Sequence, residues 1–204
     1  MKGKCTLIKK RVKNLWQEIG KSEKNPAAFL VTNPKNIFYL TGFTGEGIML
    51  STPDKNYLIT DSRYTEQANR EISDCQIIIQ DMRQDDAQTK SLCSLIDDLK
   101  IDELGFESDA LRVNSYLKYQ NIISKTKLYP FPDIIEKMRM VKDPDEVEIL
   151  EKSAKIATNS FNQTLKYLKK GVSELDISAY LNYSMRKNGA QKEAFDIIVT
   201  SGDR

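Results

Sequence analysis

Histidine is absent from the 204-residue chain. Within these residues, then, no Ser-His or Cys-His nucleophilic pair can form. The commonest protein ligand of zinc and other transition metals is missing as well, so a metal site built here would rest on carboxylates alone. Cysteine is scarce. Cys5, Cys75 and Cys93 are odd in number, far apart and never in C-x-x-C spacing. Each lies among apolar neighbours, which predicts buried free thiols in a reducing cytoplasm rather than a disulfide framework. No apolar run is long enough to predict a bilayer span. The opening MKGKCTLIKK has charge but no apolar stretch of signal-peptide kind. Charge of one sign is lacking too: 31 Lys and Arg against 29 Asp and Glu leave +2, so nucleic acid exerts no general attraction.

What is present suits a globular protein, with 40% hydrophobic and 29% charged residues. The length allows one good-sized domain or two small ones. Lys2, Lys4, Lys9, Lys10, Arg11 and Lys13 make the start locally basic. Their spacing predicts the solvated face of a helix in preference to an anion contact. That helix runs from Cys5 to Ile19, with Ile8, Val12, Leu15 and Ile19 on its apolar stripe. AAFLV reads as a buried strand and TNPKN as a turn. IMLST and NYLIT, joined by PDK, read as a hairpin. A helix at DSRYTEQANREI, a strand at QIIIQ, a helix at DDAQTKSLCSLIDDL, a strand at ELGFE and a helix at VNSYLKYQNII follow. The alternation predicts an α/β fold with a mixed sheet flanked by helices. Tyr129–Asp143, with two prolines, reads as a connector.

Beyond it the pattern changes. Asp143, Pro144 and Glu146 carry the signals of a helix start, and Lys169, Lys170 and Gly171 those of a helix end. Val147, Leu150, Ala154, Ala157, Phe161, Leu165 and Leu168 predict its buried stripe. A second helix opens at Ser173 with Asp176 three residues on, and a core strand is expected over Phe195–Val199. Two helices and a strand are too few to bury a core.

The segments NIFYLTGFTGEGIML, YLITDSRYTEQA, ELGFES, IEKMRMVKDPDEVEILEKSAKIA, GVSELDISAYL and EAFDIIVTSGDR occur in this order. As an ordered set they resemble the Xaa-Pro aminopeptidases and prolidases, the creatinase-related metallopeptidases. The resemblance implies a creatinase-type N-terminal domain over residues 1–131 and the beginning of a pita-bread peptidase domain over 132–204. It implies, for a full-length cytoplasmic member, hydrolysis of the bond before proline in peptides by two divalent metals (Mn, Co or Zn). In the family a histidine follows the Phe-Asp-x-Ile-Val-x-Ser-Gly segment, and later come two aspartates, another histidine and two glutamates. All of these fall past Arg204. The expectation is therefore an incomplete, inactive portion of such a hydrolase, with no catalytic residue, metal ligand or cofactor assignable in this chain. A non-catalytic binding or assembly module of the same architecture is the alternative, and a homodimer is expected.

Three residues are candidates for bordering a substrate cleft: Phe43 and Glu46 on the loop Gly42–Gly47, and Arg63 in DSRYTEQA. For Arg63 the competing reading is an ion pair with Asp61, which itself caps a helix. The pairs Asp85-Asp86 and Asp97-Asp98 predict helix-start and solvent-facing charge rather than metal ligands, since adjacent helical residues do not converge.

Overall fold

The computed structural model describes residues 2–80 and 86–202, with side chains from Thr6 onward. The expectations placed on the side chains of Lys2, Lys4 and Cys5, and on Asp85, lie outside the described residues. The chain divides into two compact units, Met1–Val141 and Lys142–Arg204.

In the first unit, α1 (Lys2–Ile19) buries Ile8, Val12, Leu15 and Ile19 at helical spacing. There follow β1 (Ala28–Val31), α2 (Pro34–Thr41), β2 (Ile48–Ser51), β3 (Asn56–Asp61) and a 3-10 turn (Ser62–Tyr64) that leads into α3 (Thr65–Glu71). Next come β4 (Cys75–Gln80), α4 (Ala87–Asp98), β5 (Glu103–Glu107), α5 (Val113–Ile122), β6 (Lys127–Phe131) and α6 (Ile134–Met140). The six strands form one mixed sheet in the order β4-β3-β2-β1-β5-β6. β2 runs antiparallel to both β1 and β3, while β4 lies parallel to β3, and β5 and β6 continue parallel to β1.

Strand alternation divides the core in two. Phe29, Val31, Met49 and Leu58 pack on one face with α1, α2 and α6. Ala28, Leu30, Ile48, Leu50, Tyr57 and Ile59 pack on the other with α4 and α5. Gly105 on β5 is required by a close approach. A Cβ there would stand 2.7 Å from Phe29 and 3.0 Å from Phe131, the two rings that meet edge to face with centroids 5.5 Å apart.

Several local expectations are corrected. TNPKN is not a simple turn: Asn33 accepts the N–H of Lys35 and caps α2, with Pro34 at its first position. Tyr129–Asp143 is not a free connector, because it supplies the end of β6 and all of α6, whose Ile135 is fully buried. The helix read at DDAQTKSLCSLIDDL stops one residue short of Leu99, which is 37% exposed just past the end of α4. The basic stretch is not wholly solvated. Arg11 lies over the Tyr39 ring at 4.1 Å and donates to its carbonyl, and Lys9 pairs with Asp74 at 3.2 Å. Cys75 and Cys93 are free and half-buried. Burial pushes the Cys75 thiol up to about 12. It also raises Cys93, helped by Asp97 and Asp86.

The second unit consists of α7 (Pro144–Leu165) and α8 (Glu174–Lys187). Both open with the reciprocal capping box the sequence announced, Asp143 with Glu146 and Ser173 with Asp176. α7 stops at Leu165, short of the expected Gly171. The two helices meet through small polar residues. Ser160, Thr164 and Ser184 are buried, Asn188 donates to Ser160 Oγ at 2.8 Å, and Ser184 donates to Gln163. The expected stripe is not buried: Val147, Leu150, Phe161, Leu165 and Leu168 are all exposed. Phe195–Val199 forms no strand and no core, and Phe195 is 79% exposed. A strand exists only through bonds to a neighbouring strand, and among the described residues none lies beside it.

Candidate functional site

The glycine loop between α2 and β2 is held on both sides. Glu71 at the end of α3 accepts the Thr44 N–H at 2.8 Å and the Thr44 hydroxyl at 2.9 Å, and Gln67 donates to that hydroxyl at 2.6 Å. Burial works against the Glu71 carboxylate, but the Thr44 and Gln67 donors outweigh it and hold the group below its ordinary range. On the other side Thr60 donates to the Glu46 carbonyl at 2.6 Å. Phe43 and Tyr64 meet edge to face, 6.1 Å between centroids. A Cβ on Gly45 would lie 2.5 Å from the Phe43 ring and 2.7 Å from Tyr64, so only glycine lets the loop cross these rings.

The three candidates of the sequence fare differently here. Phe43 is 1% exposed and belongs to the core beneath the loop; it supports the loop and offers no surface. Glu46 and Arg63 do come together, with Arg63 Nη2 3.2 Å from Glu46 Oε2. Arg63 is also clasped by Asp61. Its Nε donates to Oδ1 at 3.0 Å and its Nη2 to Oδ2 at 2.9 Å, while Asp61 Oδ1 also caps the following turn by accepting the Arg63 N–H. The Arg63 hydrogen bond holds the Asp61 carboxyl below its ordinary range. One guanidinium between two carboxylates leaves no surplus positive charge to attract an anion.

A second constellation escaped the sequence reading. β1 and β5 are parallel neighbours, so their C-terminal ends lie side by side, the place where open α/β sheets gather function. Glu107, the last residue of β5, is 3% exposed. Its Oε2 accepts the N–H groups of Thr32 at 2.6 Å and Asn33 at 2.9 Å, and its Oε1 accepts Asn36 Nδ2 at 2.6 Å. The same Asn36 amide donates to Glu136 Oε1 on α6 at 2.7 Å, and Asn36 Oδ1 accepts from Arg139 at 2.8 Å. Burial raises the Glu107 pKa. The three donors oppose that shift, and the nearby Glu136 carboxylate adds to it. The one available signal was a lone glutamate ending an apolar strand, with partners 71 to 75 positions away in the chain.

Neither constellation suits a pair of divalent metals. Among the described residues no three His, Cys, Asp or Glu side chains converge as a metal site would require. The Glu107 oxygens are already filled by protein N–H donors. Asp97 and Asp98 face solvent, and Asp86 is engaged with Lys118 and Thr89. No helix among the described residues is long and apolar enough to cross a membrane.

Comparison with known proteins yields two family matches: the Creatinase/Prolidase N-terminal domain over residues 11–141, and Metallopeptidase family M24 over residues 148–204. An uncharacterized peptidase of Bacillus subtilis, YqhT, is 34% identical over 195 residues, which are 95% of this chain and 53% of that one. The structure of an Xaa-Pro dipeptidase from Bacillus anthracis superimposes with a TM-score of 0.81 at 30% identity, covering 94% of this chain and 51% of that chain. An X-Pro aminopeptidase from Thermotoga maritima gives a TM-score of 0.77 at 32% identity, over 84% of this chain and 49% of that one. The chain thus spans about half the length of these relatives.

Proposed function

Taking as premise that the chain belongs to the Creatinase/Prolidase N-terminal domain family, we propose that it is the N-terminal portion of a metal-dependent Xaa-Pro peptidase of the cytoplasm. Such an enzyme hydrolyses the bond before proline in peptides. The observation that carries the reading is the match to the Bacillus anthracis dipeptidase along nearly all of this chain and about half of that one. Residues 1–131 are assigned to the N-terminal domain, and the catalytic domain opens in the stretch 132–204. The divalent metals, Mn, Co or Zn, belong to ligands outside this sequence, and the 204 residues alone do not cleave. Glu46 borders the substrate cleft of the whole enzyme, and Arg63, itself neutralised, is a positioning residue that fixes it.

A dipeptidase and aminopeptidase assay tests this on two proteins: the 204-residue chain, and one extended along its reading frame to the length of the relatives. Added Mn²⁺ is expected to support cleavage of Xaa-Pro substrates by the longer protein only, with Glu46→Ala raising KM more than it lowers kcat. A longer protein that binds such peptides without cleaving them would favour the binding-module reading. Cleavage by the 204 residues would overturn the placement of the ligands.

A further inference from the structure

A polar cavity of about 350 Å³ lies between the end of β4, the start of α4 and one face of α5. It shares no residue with the glycine loop or the Glu107 cluster. Ser115, Lys118 and Tyr119 are spaced i, i+3 and i+4, so α5 turns a single face toward it. Asp86 and Thr89 come from the start of α4, and Gln80 from the last position of β4.

Several of its polar groups have no partner in the protein. Tyr119 is 6% exposed, yet its hydroxyl makes no hydrogen bond among the described residues. Burial raises its pKa, with Cys93 and Asp86 adding to the shift, so the group stays a neutral hydroxyl able to donate or accept. Gln80 Oε1 is buried and also without a hydrogen bond among the described residues. Asp86, at the N-cap of α4, makes no side-chain cap. The first N–H groups of that 12-residue helix are therefore left as donors carrying partial positive charge. Buried polar groups are nearly always paired, and their joint lack of partners around one cavity points to a bound molecule. The charges say of what kind. The two ionised groups of the lining, Asp86 and Lys118, pair with each other, and Thr89 donates to Asp86 Oδ1 at 2.7 Å. A simple anion would suit Lys118 and the α4 donors but would meet Asp86. A simple cation would suit Asp86 and Gln80 but would meet Lys118 and the positive end of α4. A small zwitterion satisfies both sets at once.

We propose that this cavity binds a free α-amino acid. Its carboxylate is received by Lys118, the Tyr119 hydroxyl and the first N–H groups of α4, and its ammonium by Asp86 and Gln80 Oε1. The site stands apart from the peptidase reading, since it uses neither Glu46 nor Arg63.

Amide NMR spectra of the intact, isotope-labelled chain, titrated with L-alanine, give the test. Saturable shifts are expected at residues 87–89 and 115–119, with a Kd on the order of 1 mM for so small a ligand. Two analogues separate the charges: N-acetyl-L-alanine keeps only the carboxylate and L-alaninamide only the ammonium. Each is expected to bind about tenfold more weakly or worse. Lys118→Met, at a position with a 43% exposed side chain, should weaken L-alanine binding by about tenfold. Tyr119→Phe keeps the buried ring and removes only the hydroxyl, and should weaken it by about threefold. Three results would each overturn the proposal: no saturable shift at these amides up to about fifty times the expected Kd, a single-charge analogue that binds as tightly as L-alanine, or either variant binding like the wild type.

Discussion

Phe29 on β1 and Phe161 on α7 are the same side chain in opposite circumstances, the first fully buried and the second 54% exposed. The contrast extends to their units. In the first, Leu15, Leu30, Met49, Leu50, Leu58 and Leu92 are all fully buried between sheet and helices. In the second, the buried residues described are Ser160, Thr164, Ser184 and a single hydrophobic one, Ile177, while Leu150, Leu165 and Leu168 face outward. Burying a side chain of that size contributes about 1.5–3 kcal/mol, so apolar packing stabilises the first unit far more. The second is specified by local chemistry instead: two capping boxes, a proline in the first turn of α7, and acidic residues in the first turn of each helix. A helix satisfies its own backbone and can be written by such signals alone. A strand cannot, and that is why Phe195–Val199 remains unpaired while Ala28–Val31, of similar composition, is a central strand.

Truncation of the two phenylalanines probes this contrast most strongly. Phe29→Ala is expected to cost the first unit about 3–5 kcal/mol, whereas Phe161→Ala should stay within about 0.5 kcal/mol, as at other surface positions. Trp16, the one tryptophan, donates to Ser51 at 2.9 Å inside the first unit. Its fluorescence in a urea titration therefore follows that unit, and helical circular dichroism follows both. Equal losses for the two variants would break the comparison. Gly105→Ala should come next, at about 1–3 kcal/mol from overpacking, because its Cβ would press on Phe29 and Phe131. A neutral result would mean that the two rings can separate without loss.

The smallest effect concerns pH. Glu107 has a folded pKa raised above its ordinary 4.5. Its contribution is therefore fully present below pH 4.5 and is lost as pH rises through the folded value. Asp61 and Glu71, both lowered, act in the opposite sense and lose their contribution as pH falls. The informative quantity is the difference between wild type and Glu107→Gln. With only the neutral form available, the variant should lack the decline on the alkaline side of pH 4.5 while keeping the acid-side loss. Parallel urea midpoints for the two proteins between pH 4 and pH 7 would remove Glu107 from the account.

The sequence revealed much of the fold because most of its signals are local. The α1 stripe, the β2–β3 hairpin, the Asp61 cap and both capping boxes each need only a few neighbouring residues. α2 was hidden because Asn33-Pro34 reads equally well as a turn or as a helix start, and Ile37 and Leu40, buried against α1, decide between them. β6 was hidden by Pro130, which an edge strand tolerates and a central one does not. At the loop, the pairing of Glu46 with Arg63 could be approached from the chain, but the burial of Phe43 could not, since it depends on packing that includes the edge-to-face contact with Tyr64. The Glu107 cluster left only the lone glutamate at the end of a strand, since its partners lie 71 to 75 positions away.

That cluster makes Asn36 and Glu107 a single character for a drifting gene. Losing Asn36 leaves a buried carboxylate short of a donor, and losing Glu107 strands the N–H groups of Thr32 and Asn33 and leaves the Asn36 amide with Glu136 alone. Either change alone meets the penalty of an unsatisfied buried group, so a change at one position calls for a compensating change at the other. Two positions 71 residues apart are thereby bound to one history, and a lineage that has replaced one is expected to have replaced the other.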